Sequence, residues 1–121
     1  MNDNSTPIGY LKKLATDFRD KRNWKRYHNP KDLAISISIE AGELLELFQW
    51  KNLDEIYKSI ENPNYLEEIR DELADIVIYC LCLSDILNID LSASIVKKIE
   101  KNEKKYPIEK YRGSTEEKES P

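Results

Sequence analysis

Two pairs of carboxylates, Glu40 with Glu43 and Glu72 with Asp75, stand three residues apart in stretches that read as helix. Residues at this spacing lie ~60° apart around the axis and about one turn along it. Each pair therefore projects to one side and makes a two-point clamp for a divalent cation. Glu40 interrupts an apolar stripe, because Leu33, Ile37, Leu44 and Leu47 occupy its helical neighbours. A carboxylate placed there is costly unless it is neutral, paired or metal-bound. Glu72 and Asp75 stand beside Leu73 and Ile76, where their segment turns apolar. One Glu-x-x-Glu alone would read as surface acids. Two pairs bordering apolar seams, with twelve acids against three bases in residues 32 to 75, favour metal.

Ligand type narrows the ion. All-oxygen donors suit Mg²⁺ or Mn²⁺, whereas di-iron sites in helix bundles use Glu-x-x-His. The one histidine, His28, does not follow any Glu by three residues. Mg²⁺ held by a few carboxylates takes further ligands from water and phosphate, which points toward phosphoryl chemistry. The flanks agree. Residues 12 to 31 carry eight bases against two acids, and residues 97 to 112 carry seven against three. Basic segments beside an acidic centre suit a phosphate held jointly by metal and by Lys or Arg, although the same pattern also describes ordinary solvated helix faces.

Helices must position these groups. With 3 Gly and 5 Pro in 121 residues and 35% charged side chains, the composition predicts an all-α fold of four to five helices. Leu11, Leu14, Ala15 and Phe18 place the first helix from Ile8 to about Lys21, followed by a polar stretch, Arg22 to Asn29. Asn29-Pro30 reads as a cap and first helical residue, with Asp32 in the first turn, opening a helix to about Trp50. Ile35-Ser36-Ile37-Ser38-Ile39 alternates as a strand would. Helix remains the expectation, because a strand there would need a turn ahead of Glu43 to Phe48 and no turn residues occur. Gly42 costs ~1 kcal/mol in a helix interior, which suggests close approach of another helix or a ligand, or else a tolerated flaw.

Asn52 caps a short helix over Leu53 to Ile60, and Asn62-Pro63 opens the longest, to about Leu87. Its Leu66, Ile69, Leu73, Ile76, Cys80, Leu83 and Leu87 form a packing seam. Ile76 to Leu83 is apolar all round, implying a central helix or one covered by another subunit. Asp90 caps a last helix to about Tyr106, and Pro107 ends it. A domain over 8–112 is thus expected between a flexible N-terminus, 1–7, and a disordered polar tail, 113–121. There is no signal pattern and no apolar run of ~18 residues, so a soluble, cytoplasmic protein away from membranes is expected. Cys80 and Cys82 fall on roughly opposite sides of a helix and read as reduced, buried thiols.

Glu40-Ala-Gly-Glu43-Leu-Leu-Glu46-Leu-Phe-Gln-Trp50-Lys51 followed by Asp71-Glu72-Leu-Ala-Asp75-Ile-Val-Ile-Tyr79 resembles the signature of the MazG-like all-α nucleoside triphosphate pyrophosphohydrolases, closest to their dCTP pyrophosphatase branch. The resemblance extends upstream through Trp24-Lys-Arg-Tyr27-His28-Asn-Pro30 and downstream through Lys97 to Pro107, covering roughly residues 8 to 112. It implies Mg²⁺-dependent cleavage of a nucleoside triphosphate to monophosphate and pyrophosphate, in nucleotide-pool housecleaning. Glu40, Glu43, Glu72 and Asp75 would be the metal ligands, and the bundle would be completed as a homotetramer, a dimer of dimers, with no nucleic-acid polymer as partner. Many members carry a second Glu directly before the first ligand, where this chain has Ile39. Trp24, His28, Trp50 and Tyr79 match aromatic positions around the nucleobase, where rings stack and His reads a polar edge. Lys98, Asn102, Lys105 and Tyr106 match the helix that contacts phosphate. The expected reaction has water attacking phosphorus, Glu43 or Glu46 taking its proton, and Lys98 or Lys105 offsetting charge on the leaving pyrophosphate. The competing expectation is a non-catalytic helical nucleotide-binding or assembly module, in which the acids only order an interface.

Overall fold

The structure, a computed structural model, describes residues 1–112; the polar tail expected at 113–121 lies outside them. Among the described residues six α-helices follow in order, α1 (Ile8–Lys21), α2 (Pro30–Glu46), α3 (Leu53–Ser59), α4 (Pro63–Ile86), α5 (Leu91–Lys105) and α6 (Ile108–Tyr111). A 3₁₀ turn over Lys25–Tyr27 lies between the first two, and there is no strand among the described residues. The fold is all-α.

Side-chain caps start the helices where the sequence places them. The Asn29 side-chain oxygen accepts from the Asp32 N–H at 2.9 Å, and Pro30 fills the first helical position. Asn52 and Glu55 form a reciprocal capping box at α3, Asn62 accepts from the Asn64 N–H at α4, and Asp90 accepts from the Ala93 N–H at α5. Each satisfies a donor that the helix start leaves free. Past the C-terminal ends of α1 and α4, Asn23 and Asn88 take positive φ of 55° and 54°, a left-handed turn that asparagine tolerates.

Two ends differ from expectation. α2 stops at Glu46, and Leu47–Trp50 form a turn. The Tyr65 hydroxyl donates to the Leu47 carbonyl, and the Phe48 ring meets Tyr65 edge-on at 6.3 Å, so packing against α4 bends a segment of good helix formers. Beyond α5 the chain makes one more helical turn, α6, with Pro107 just before it. A proline that stops one helix can precede the next, since its fixed φ suits a helix start.

Two units divide the chain, residues 1–89 and the segment from Asp90 onward. In the first, α4 packs against α2 and α1. Ser36 and Tyr79 line one cavity, Glu40 and Glu72 approach each other, and Leu47 meets Tyr65. Numbers rise along α2 as they fall along α4, so the two helices run antiparallel. Leu33, 2% exposed, Leu81 and Cys82 are the buried apolar side chains. Among them sits the buried Arg19 guanidinium, paired at 2.9 Å with both Asp20 and Asp85. Cys80 is half-buried, and both thiols are free. The alternating isoleucines lie on a helix and split between its sides: Ile35 and Ile39 are exposed together on α2 and Ile37 is half-buried on the other side, while Leu73, Val77 and Ile78 are exposed on α4. At Gly42 an added Cβ would meet no atom within 4 Å, so no close approach within the described chain requires that glycine. The N-terminal residues make a turn in which the Asn2 side chain accepts from the N–H groups of Asn4 and Ser5. Among the described residues no single helix is long and apolar enough to cross a membrane.

Candidate active site

α2 and α4 bring three of the four predicted carboxylates together. Glu40, Glu43 and Glu72 each offer an oxygen within 4.8 Å of the others. Glu40 and Glu72 are half-buried and Glu43 is exposed. Glu40 Oε2 and Glu72 Oε2 are both buried without a hydrogen-bond partner. Carboxylates this close, each with a buried unpartnered oxygen, call for a shared proton or a cation, since an ionised carboxylate is an acceptor only. Without metal, a proton fills this role below about neutral pH. The adjoining Glu72 carboxylate, burial and the neighbouring Glu43 push the Glu40 carboxyl up to about 7. Orphaned oxygens, an all-oxygen donor set and close convergence fit Mg²⁺ or Mn²⁺.

Asp75 lies three residues further along α4, half-buried and outside this triad. It does face the same region, because its charge, like that of Glu40, helps raise the Tyr79 phenol pKa, after burial as the main cause. Glu46 ends α2 as an exposed residue and does not join the cluster. Of the two glutamates expected to serve as base, Glu43 is the one beside Glu40 and Glu72.

Beside the carboxylates opens a cavity of about 240 Å³ that gathers Trp24, His28 and Tyr79. The 3₁₀ turn after α1 carries Trp24 and His28 to it, tied back by the Trp24 N–H donating to the Arg19 carbonyl at 3.1 Å. Burial and the Arg19 charge lower the His28 pKa, and its Nδ1 is buried without a partner. The imidazole is therefore neutral at pH 7, with one nitrogen able to donate and one to accept. Trp50 is not in this wall; it sits in the turn after α2, 85% exposed.

Sequence reasoning missed four lining residues, Tyr27, Asp32, Leu33 and Ser36. Asp32 read only as a first-turn acid. The available signal was spacing: Asp32, Ser36 and Glu40 follow one another at four-residue intervals along one side of α2.

In the second unit, Lys98, Asn102, Lys105 and Tyr106 recur at helical spacing on α5 and its C-terminal cap. Lys98 and Lys105 are exposed, Asn102 and Tyr106 half-buried. Tyr106 packs edge-on against Tyr111 at 5.4 Å, with the Lys105 ammonium over its ring.

Residues 35–119 match the model of the MazG-like family. This chain belongs to the MazG-like family. All four predicted metal ligands fall inside the matched segment, whereas Trp24, His28 and Asp32 precede it. The chain is similar to dCTP pyrophosphatase 1 of Rattus norvegicus, 33% identical over 104 residues, covering 86% of this chain and 61% of that protein. With the Homo sapiens dCTP pyrophosphatase 1 it shares 31% over 105 residues, covering 87% and 62%. It thus spans about three fifths of the length of the curated relatives it matches. Among solved structures, a pyrophosphatase from Archaeoglobus fulgidus superposes with a TM-score of 0.77 at 42% identity, covering 88% of this chain and 98% of that one.

Proposed function

We propose that this MazG-like chain is a Mg²⁺-dependent nucleoside triphosphate pyrophosphohydrolase that cleaves dCTP, or a modified dCTP, to the monophosphate and pyrophosphate. One observation carries the reading: two buried, unpartnered carboxylate oxygens, on Glu40 and Glu72, lie close to Glu43, and Tyr79, which feels the Glu40 charge, lines an aromatic cavity. Relatives named for dCTP pyrophosphatase support the substrate.

Glu40, Glu43 and Glu72, with Asp75 next to them on α4, would hold the ion. When bound, a divalent ion supplies charge neutralisation at phosphate oxygens and lowers the pKa of water. Within this chain, Glu43 takes the proton of the attacking water as its oxygen bonds to phosphorus and the bond to the pyrophosphate oxygen breaks. Trp24 and Tyr79 offer flat faces to the nucleobase, and His28 offers a neutral imidazole to its edge. Trp50 is assigned to the base, and Lys98, Asn102, Lys105 and Tyr106 to phosphate, by family resemblance. The exposed isoleucines and valine of α2 and α4 support assembly as a homo-oligomer, a dimer of dimers.

Glu40→Gln and Asp75→Asn should abolish Mg²⁺-dependent pyrophosphate release across a panel of canonical and modified dNTPs, while circular dichroism shows both variants folded. Wild-type turnover in both would refute the metal assignment. Nucleotide binding by the wild type without product release would instead mean a binding module.

A further inference from the structure

Asp32 and Ser36 have no part in the reading above, yet both line the cavity with Trp24, His28 and Tyr79. They belong to the row on α2 that ends at Glu40, and at 1.5 Å per residue Asp32 stands about 12 Å from Glu40 along the axis. A ligand with phosphates at the carboxylates and a base in the cavity would lie along this row, its base at the N-terminal end of α2.

That end does not suit the phosphates. The Asp32 N–H is taken by the Asn29 side chain and the Leu33 N–H by the Asn29 carbonyl, while Pro30 has none. Asp32 itself is a carboxylate, which repels an anion. Asn29 also fixes its orientation, because the Asn29 amide nitrogen donates to Asp32 Oδ2 at 2.8 Å. Oδ1 and the remaining lone pair of Oδ2 are left for a ligand.

We propose that Asp32 is the specificity residue of this site, accepting a hydrogen bond from the exocyclic amino group of a cytosine-type base and rejecting bases that present a carbonyl there. The inference rests on the nucleotide reading given above. An ionised carboxylate only accepts. Cytosine offers an amino donor where uracil and thymine offer the O4 acceptor. Facing Asp32, the first makes a charge-assisted hydrogen bond and the second sets acceptor against acceptor. Ser36, one turn on, donates or accepts as the rest of the edge requires.

The test uses the full chain in two arms. Calorimetry with Ca²⁺ in place of Mg²⁺ measures binding of dCTP and dUTP, and pyrophosphate release with Mg²⁺ measures kcat/KM for both. The wild type should prefer dCTP by about 10- to 100-fold. Asp32→Asn, whose amide can donate to O4, should bring that ratio close to one by losing dCTP and gaining dUTP. Asp32→Ala should lose dCTP without gaining dUTP. Retention of the wild-type ratio by Asp32→Asn, within twofold, overturns the proposal even if the wild type hydrolyses both nucleotides. So does a wild type that binds neither, or both equally. If the wild type releases no pyrophosphate from any dNTP, the catalytic reading fails, while the binding arm still decides Asp32.

Discussion

Glu40 on α2 and Glu72 on α4 each bury one carboxylate oxygen, and neither oxygen has a hydrogen-bond partner. Antiparallel packing of the two helices forces this encounter, and Glu43 adds a third oxygen within 4.8 Å. Charge repulsion in such a triad is relieved by a proton or by a cation, and the two compete for the same place.

That competition sets a pH dependence. The Glu40 carboxyl titrates at about 7 in the folded, metal-free protein, against 4.5 for a free glutamate. The folded state holds this proton more tightly than the unfolded chain. Its stabilising contribution is therefore complete below pH 4.5 and is lost as pH rises through 7. Thermal melts in EDTA should fall in midpoint between about pH 5 and 7.5, and Glu40→Gln should flatten that slope. Adding Mg²⁺ should restore the midpoint most above pH 7. Below pH 7, Mg²⁺ titration in weak buffer should release protons.

Glu43 and Glu46 separate as candidates for the base by position. Glu43→Gln should cut kcat by about 10²-fold or more, on the scale of general-base loss, while Glu46→Gln should stay within a few fold of wild type. Steady-state pyrophosphate release at saturating Mg²⁺ distinguishes them, and equal losses in both variants would defeat the assignment.

Arg19 ties α1 to α4 from a position that is 3% exposed. Asp85→Asn removes one anionic partner and leaves a buried guanidinium with Asp20 alone. The expected cost is about 1–3 kcal/mol in urea unfolding at pH 7. Trp24, held to the Arg19 carbonyl, should report the loosening as a shift in intrinsic fluorescence.

The exposed apolar side chains of α4 should be covered by another copy of the chain. Ile78→Glu places a charge on that surface and should shift sedimentation velocity at micromolar concentration toward smaller species. An unchanged distribution would mean that this face does not hold subunits together.

Much of this architecture was legible because its signals are local. Asn29-Pro30, Asn52, Asn62-Pro63 and Asp90 announce helix starts through side-chain bonds to nearby backbone, and the Glu40–Glu43 pair stands out by its three-residue spacing and the apolar stripe it interrupts, whereas Glu72 joins that pair only through packing of α4 on α2. Most of what escaped depends on distant contacts. The end of α2 moved because Tyr65, 18 residues ahead, takes the Leu47 carbonyl. α6 was hidden by reading Pro107 only as a stop. Asp32 looked fully explained as a first-turn acid, and its place in the cavity wall emerged only when α4 brought Tyr79 opposite.

Asp32, Ser36 and Glu40 align only because each is separated from the next by four residues. One residue inserted anywhere between Asp32 and Glu40 would turn everything beyond it by ~100° about the helix axis, swinging the carboxylate away from the cavity while leaving both ends chemically intact. This stretch of α2 should accept exchange of one side chain for another far more readily than any change in its length, so indel scanning would mark it as a fixed measure in a chain whose turns tolerate variation.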